Sequence, residues 1–309
     1  MSQEHRFGFI ALIGPPNAGK STLMNHFLGQ KLAIVTPKPQ TTRNRISGIL
    51  TTDKAQAVFL DTPGIHQRKG RMNRMLLDSA WNALSQADVC CLMVDGAKLA
   101  KSANVWDELR PLRSGLSDLA APLVVACNKA DRARDKAVLL PVMQRLSEEF
   151  PQAEIVPVSA LTGDNAGALL ELLLERLPQG EAMFPEDQLS TVPLRFLASE
   201  IVREQLFLQL REELPYNTAV EIEIFDEPPH EHDPSDPRTH VAAVIYVSRD
   251  NHKGMVIGRG GQRLKDIGTK ARLEMEDMLQ AKVFLELFVK VRHDWTEDPG
   301  FLRMLGLGE

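Results

Sequence analysis

Short apolar runs alternate with helix-patterned stretches along the first 177 residues. The runs fall near 7–13, 57–60, 89–94, 122–127 and 155–158. Each is too short for a buried helix and is bounded by turn residues, which predicts buried strands. Stretches with helical spacing lie between them, and Asn165–Leu177 closes the series. This alternation predicts an α/β fold over residues 1–180, a doubly wound and mainly parallel sheet with helices on both faces. Ligands then bind at the carboxyl ends of the strands.

The pattern changes after a polar, proline-containing linker at 181–193. Leu194–Leu214 has the periodicity of one long amphipathic helix, with Phe196, Ile201 and Leu208 among its apolar positions. Thr218–Phe225 alternates Val220, Ile222 and Ile224 with Glu221 and Glu223, the signature of a half-buried strand. His240–Val247 is a second strand, and Lys282–Arg292 a third. The third strand sets Val283, Leu285, Leu287, Val289 and Val291 on one face and Phe284 and Phe288 on the other. Two bare phenylalanines on a sheet are an aggregation liability. They are therefore expected to pack on the tail after Trp295 or on the first domain, the alternative being to stack on RNA bases. Residues 194–309 thus form a second, α+β domain.

Within that domain, Val256-Ile-Gly258-Arg-Gly-Gly261 is followed by Leu264 and Ile267 at helical spacing. A G-x-x-G turn between two helices, in the order helix–strand–strand–helix–turn–helix–strand, resembles the type II KH RNA-binding module. Candidate RNA contacts are Lys253, Val256, Ile257, Gly258, Arg259, Gly260, Gly261, Arg263, Lys265 and Lys270. Glycine lets a nucleic-acid backbone approach closely, and the following helix offers its positive end to phosphate. Residues 191–309 hold 15 basic and 21 acidic side chains, so their overall charge opposes RNA. Between 252 and 273 only Asp266 faces six cations, Arg272 among them, and screening over about 8 Å makes the local patch count for more.

The first domain carries the chemistry. Gly14-Pro-Pro-Asn-Ala-Gly-Lys-Ser21 fits the phosphate-cradling loop G-x-x-x-x-G-K-[ST] and precedes a helix beginning near Lys20. Gly14, Asn17, Ala18, Gly19, Lys20, Ser21 and Thr22 are the candidate phosphate contacts. Lys20 reaches the β- and γ-phosphates, and the Ser21 hydroxyl suits Mg²⁺. Asp61, ending a strand and opening Asp61-Thr-Pro-Gly64, is the candidate carboxylate for the metal. The Gly64 N–H can approach the γ-phosphate. The polar, proline-interrupted segment Thr36–Arg43 suits a switch ordered by a threonine on the metal. Thr41 and Thr42 are both candidates, Thr42 the favoured one.

Asn128-Lys-Ala-Asp131 follows a buried strand, and Ser159, Ala160 and Leu161 follow another. A carboxylate at Asp131 accepts both the ring N–H and the exocyclic amine of guanine, a donor pair adenine lacks. With Asn128 and Lys129 beside it, this is a guanine-nucleotide site for GTP or GDP.

The loop, the switch Gln40–Arg43 and the Asp61–Gly64 element look like the translation-factor-related bacterial GTPases. With the KH-like domain, the chain is similar to the Era family of small ribosome-assembly GTPases over nearly its whole length. The resemblance implies a monomeric GTPase that binds 16S rRNA near its 3′ end and assists maturation of the 30S subunit. Lys20, Thr42, Asp61 and Gly64 would serve the reaction. Asn17 resembles an asparagine that binds K⁺ in related GTPases; its alternative is a turn residue bonded to its own backbone. Ile65 stands where Ras-like proteins carry the glutamine that orients water, so slow unassisted hydrolysis is expected.

Composition narrows the setting. The balance of 36 basic and 41 acidic residues argues against a protein that coats polyanions in bulk. Cys90, Cys91 and Cys127 lie on strand-like runs and are expected as buried, reduced thiols of a cytoplasmic protein. No apolar run approaches 18 residues, and the start lacks a signal core. That leaves room for peripheral contact with the inner membrane. His230, His232 and His240, in or beside the acidic loop 226–239, are a candidate metal set without a tetrahedral Cys/His pattern; a solvated loop is the expectation. Two rival functions remain at this level: an RNA chaperone with a structural nucleotide site, and a membrane-associated signalling GTPase whose second domain binds a protein.

Overall fold

The computed structural model describes residues 5–66, 69–117, 119–229 and 235–307. Two compact units divide between Thr191 and Val192, with residues 70–72 grouped with the second.

The first unit is a six-stranded sheet in the order β2-β3-β1-β4-β5-β6. Its strands are β1 (Arg6–Ile13), β2 (Ile46–Thr51), β3 (Ala55–Asp61), β4 (Val89–Asp95), β5 (Leu123–Asn128) and β6 (Glu154–Pro157). All neighbours run parallel except β2, which is antiparallel to β3. Every residue of β3 and β5 is buried, as continuous apolar strands covered on both faces must be. The helices are α1 (Lys20–Leu28), α2 (Arg71–Ser85), α3 (Gly96–Leu99), α4 (Arg110–Leu116), α5 (Leu140–Glu149) and α6 (Ala166–Glu175). On one face Ala80 and Leu84 of α2, Leu112 and Leu116 of α4, and Val142 and Leu146 of α5 pack on Ile13, Leu92, Val125 and Cys127. The helices α1 and α6 touch each other and the strands β3 and β1. The strand order reverses between β1 and β4, so the crevice outside their carboxyl ends is the switch point where such folds bind ligands.

The edge strand β2 was not legible as a strand beside the polar switch. Residues 181–191, expected as linker, run along this edge of the sheet: the Leu189 carbonyl accepts the Ile49 N–H at 2.8 Å, and the side-chain oxygen Oε1 of Gln56 on β3 accepts the N–H groups of Met183 and Phe184.

The second unit has the order α7 (Leu194–Gln209), β7 (Thr218–Asp226), β8 (Thr239–Val247), α8 (Asp250–Ile257), α9 (Gln262–Leu279), β9 (Val283–Val291) and α10 (Pro299–Met304). The strands β7 and β8 are antiparallel, whereas β8 and β9 are parallel. A parallel pair needs a long crossover, and the α8–turn–α9 segment supplies it. Ile201, Val202 and Leu206 of α7 pack with Ile267, Ala271 and Met275 of α9 on the face carrying Val241, Ala243, Ile245 and Val283.

Two expectations are corrected. The helix from Leu194 stops at Gln209, not Leu214, because Leu210 turns extended to bury its side chain and Pro215 forbids continuation. Phe284 and Phe288 stay 41% and 47% exposed. The tail instead packs through Phe301, against Tyr246 at 4.9 Å and Arg292 at 4.1 Å. His230 and His232 lie outside the described residues. His240 pairs with Asp236 at 2.8 Å, and no cluster of three His, Cys, Asp or Glu among the described residues could hold a metal.

Candidate functional site

The loop between β1 and α1 is shaped by its glycines. A Cβ on Gly14, at φ 147°, would lie 2.2 Å from the Met93 carbonyl oxygen; one on Gly19, at φ 104°, would lie 2.2 Å from Asn128 Nδ2. The loop can therefore press on β4 and β5 only with glycine at both ends. Lys20, at the first turn of α1, is buried, and its Nζ donates to the carbonyls of Gly14 (3.3 Å) and Pro15 (3.1 Å). Burial lowers its ammonium from 10.5 to about 8, with Asp61 opposing the shift.

Next to it, Ser21 Oγ donates to Asp61 Oδ2 at 2.5 Å and lies 3.0 Å from Thr42 Oγ1, which donates to the same carboxylate oxygen at 3.3 Å. Two hydroxyls and a carboxylate thus converge from α1, the switch and β3. Thr41 points elsewhere, to Thr36 Oγ1 (2.6 Å) and the Lys38 carbonyl (2.9 Å).

At the other end, Asn128 binds two loops at once. Its Nδ2 donates to the Ala18 carbonyl at 2.7 Å, and its Oδ1 accepts the Ala160 N–H at 2.9 Å. Ser159 Oγ donates to Asp131 Oδ1 at 2.6 Å, fixing that carboxylate. Lys129, left-handed at φ 65°, bridges the Asn17 carbonyl (2.6 Å) and Asp95 (2.8 Å). One cavity of about 1200 Å³ joins both ends, from Lys20, Ser21, Thr42 and Gly64 to Asn128, Lys129, Asp131, Ala160 and Leu161.

In the second unit, Gly258, Gly260 and Gly261 all take positive φ, at 76°, 59° and 77°, so the turn is one that glycine permits. Beside it a groove of about 400 Å³ runs between α9 and β9. Gly268 makes it narrow, since a Cβ there would meet Leu287 at 3.2 Å.

Residues 9–129 match a family described as 50S ribosome-binding GTPase, and residues 213–296 match the KH domain family. GTPase Era of Nitratidesulfovibrio vulgaris (strain DSM 19637 / Miyazaki F) is 52% identical over 307 residues, covering 99% of this chain and 98% of the relative. The chain belongs to the Era family of GTPases. GTPase Era of Ectopseudomonas mendocina (strain ymp) is 45% identical over 303 residues, 97% of each chain. A crystal structure of Era in complex with MgGDPNP and nucleotides 1506–1542 of 16S ribosomal RNA is similar with a TM-score of 0.92 and 38% identity, over 99% of this chain and 100% of that one. A variant of Aquifex aeolicus Era bound to GDP and AlF4− gives 0.88 at 38% identity, over 98% and 100%. The chain is thus a GTP hydrolase with a P-loop G domain followed by a KH domain.

In this Era-family chain most of the expected nucleotide residues line the one cavity, while Gly14 shapes its floor and Ser159 holds Asp131 from behind. Asn17 is exposed and left-handed, but its amide donates to the Pro37 carbonyl in the switch at 3.0 Å, not to its own turn. Ile65 is buried, facing the core formed with Ala80 and Leu92, and its N–H donates to the Gly14 carbonyl. No sequence pattern announces the link between the switch Thr36–Arg43 and the segment after Gly64. His66 Nδ1 donates to the Gly64 carbonyl at 2.8 Å, and Nε2 accepts from Gln40, which also donates to Asn73 at 3.0 Å. Gln40 owes that placement to a left-handed φ of 59°, which no pattern announces.

The expected RNA contacts divide more sharply. Val256 is fully buried in the KH core, so it supports the turn from beneath and is withdrawn as a contact. Ile257 is half-buried against that core, and Arg263 turns its guanidinium back to the Met255 carbonyl. Arg259, Gly260, Lys253, Lys265 and Lys270 are exposed. Of these Lys265 lines the groove, with Gly261, Leu264, Gly268, Thr269, Arg272, Leu285 and Leu287. Positions 261, 265, 268 and 272 share one helical face, a spacing that brings Arg272 into the groove beside Lys265.

Proposed function

We propose that this chain binds Mg²⁺ and GTP in the cavity of its G domain, and RNA of the 16S 3′ end in the groove of its KH domain. In this reading it assists maturation of the 30S subunit in the cytoplasm as a monomer. The observation that carries the nucleotide half is one cavity lined at one end by the Ser21 and Thr42 hydroxyls, which both bond Asp61 behind them, and at the other by Asn128 and Asp131.

Ser21, Thr42 and Asp61 fit Mg²⁺, since all three offer the hard oxygen donors it takes. Bound there, the ion supplies charge that neutralises the phosphate oxygens. Lys20 exchanges the Gly14 and Pro15 carbonyls for phosphate oxygens, regaining an anionic partner for its buried ammonium. The Gly64 N–H faces the terminal phosphate without a Cβ, which would lie 2.6 Å from Pro16 Cα. Asp131, fixed by Ser159, reads the guanine edge, and Asn128 holds the two loops that flank it. Asn17 fits K⁺ through its amide oxygen, because its nitrogen already serves Pro37.

On the RNA side, the open G-x-x-G turn, the positive end of α9 and the apolar floor of Leu264, Leu285 and Leu287 suit a single strand with splayed bases. Linkage requires that any effect of GTP on RNA affinity be matched by an equal effect of RNA on GTP affinity.

Steady-state phosphate release from GTP and from ATP, each with and without Mg²⁺, tests the nucleotide half. Turnover of GTP that needs Mg²⁺ and no turnover of ATP is expected; equal turnover of both would contradict the base assignment.

A further inference from the structure

The outer face of the KH sheet, turned away from α7 and α9, remains unexplained by nucleotide or by the RNA groove. Its rows follow from strand register: Asp226, His240 and Phe284; then Ile224, Ala242 and Glu286; then Glu221, Val244 and Phe288. Ile224, Phe284 and Phe288 are 52%, 41% and 47% exposed, around buried Ala242 and Val244. The tail packs on this face through Phe301, against Tyr246 and Arg292. Three large apolar side chains grouped on one exposed face mark a contact surface.

Charge decides what the surface fits. Glu221, Glu223, Asp226 and Glu286 lie on or beside these rows, and Glu286 falls between the two phenylalanines on the same side of β9. Four cations described at the rim each carry a carboxylate. Lys290 holds Glu223 at 2.7 Å, Arg238 holds Asp236 at 2.7 Å, Arg292 holds Asp298 at 2.7 Å and Lys282 holds Glu276 at 3.5 Å. Hydrogen bonds from Arg238 and His240 keep the Asp236 carboxyl well below the usual carboxylate range.

Bases stacking on Phe284 and Phe288 would bring phosphates beside Glu286 with no cation released to meet them. An anionic lipid surface meets the same repulsion, and a second copy would set like charges face to face. A segment with cationic side chains around aliphatic ones matches both the sign and the apolar centre. We propose that this face docks a lysine- or arginine-rich protein segment of the 30S particle, alongside the RNA held in the groove on the other side of β9. The inference rests on the 30S reading above for where the partner resides.

The test compares wild type, Ile224→Asp with Phe288→Asp, and Glu286→Lys. Affinity is measured for three probes: the 16S 3′ fragment, protein-free 16S rRNA and intact 30S subunits. Both variants should bind the two RNA probes as wild type does and lose affinity for 30S subunits on the order of tenfold or more. A photocrosslinker at position 224 should label a basic peptide of a small-subunit protein. Unchanged 30S affinity would overturn the proposal. So would an equal loss on protein-free 16S rRNA, which would make RNA the occupant, or a wild-type dimer in sedimentation that the variants lose. If the double variant does not fold, Glu286→Lys, which leaves the apolar centre intact, decides alone. Wild type that binds no probe would instead sink the 30S reading itself, and this docking with it.

Discussion

The side-chain amide of Asn128 donates to the carbonyl oxygen of Ala18 at 2.7 Å, across 110 residues of sequence. Because the same side chain also accepts the Ala160 N–H, one residue fixes the distance between the phosphate loop and the base pocket. Gly19 makes this possible, since any Cβ there would occupy the place of the Asn128 amide nitrogen. Asn128 is thus a brace, and under the proposed function reading the base falls to Asp131.

That division of labour separates two variants. Asn128→Ala removes a buried donor and acceptor and leaves the Ala18 and Ala160 groups unsatisfied. It should weaken GTP and GDP alike by about 1–3 kcal/mol, with guanine preference retained. Asp131→Asn should cost about 2–4 kcal/mol for GTP while gaining affinity for xanthine nucleotide. Calorimetric titration with GDP and xanthosine diphosphate measures both; a gain for xanthine in the Asn128 variant would refute the brace.

Hydrolysis should be slow and cation-dependent. Ile65 is buried, its backbone N–H is bonded to the Gly14 carbonyl, and its aliphatic side chain has no polar atom with which to orient water. Ile65→Ala should lower stability by about 2–4 kcal/mol through the cavity it leaves, yet change turnover only modestly where the protein remains folded. A hundredfold loss of turnover in folded protein, relative to wild type, would make Ile65 catalytic. Basal turnover should lie well below about 1 s⁻¹ and be faster in K⁺ than in Na⁺, an effect that Asn17→Ala removes. Equal rates in the two salts would eliminate the cation role of Asn17.

Lys20 should make nucleotide binding depend on pH. Its folded value of about 8 lies below the ordinary 10.5, so the unfolded chain binds more protons between these two values. The contribution of Lys20 to nucleotide-free stability is therefore fully present above about 10.5 and is lost as pH falls through about 8. Phosphates restore the charged form, so GTP binding near pH 8.5 should take up protons. Titration in buffers of different ionisation enthalpy should show that uptake in wild type and not in Lys20→Met. An identical uptake in the variant would assign the proton to another group.

Much of this was legible beforehand because it rests on local patterns: continuous apolar runs for β1, β3, β4 and β5, and motifs tied to the ends of those strands. Burial of the three cysteines was legible too, and it pushes Cys91 and Cys127 up to about 12. What escaped depends on pairing between distant segments. Strand β2 exists because β3 offers an edge, and the helix from Leu194 ends early because Leu210 has a core to enter. Gln40 reaches His66 only through a left-handed backbone. The fate of Phe284 and Phe288 was misjudged because the tail's position follows from Tyr246 and Arg292, and nothing in strand alternation specifies it.

The claim that joins the two domains is that a GTPase carries an RNA-binding KH groove, and the turn Gly258–Gly261 tests it most directly. Gly260 takes φ 59°, and nothing lies within 4 Å of a Cβ placed there. Aspartate tolerates that conformation better than most residues, so Arg259→Asp with Gly260→Asp should fold. Filter binding of the 16S 3′ fragment at two salt concentrations is the measurement, with circular dichroism as the folding control. Wild type should bind, Lys265→Ala should bind more weakly with a salt slope flatter by about one unit, and the double aspartate variant should not bind. GTP turnover without RNA should be the same in all three. A folded double variant that holds the fragment at wild-type strength would contradict the account.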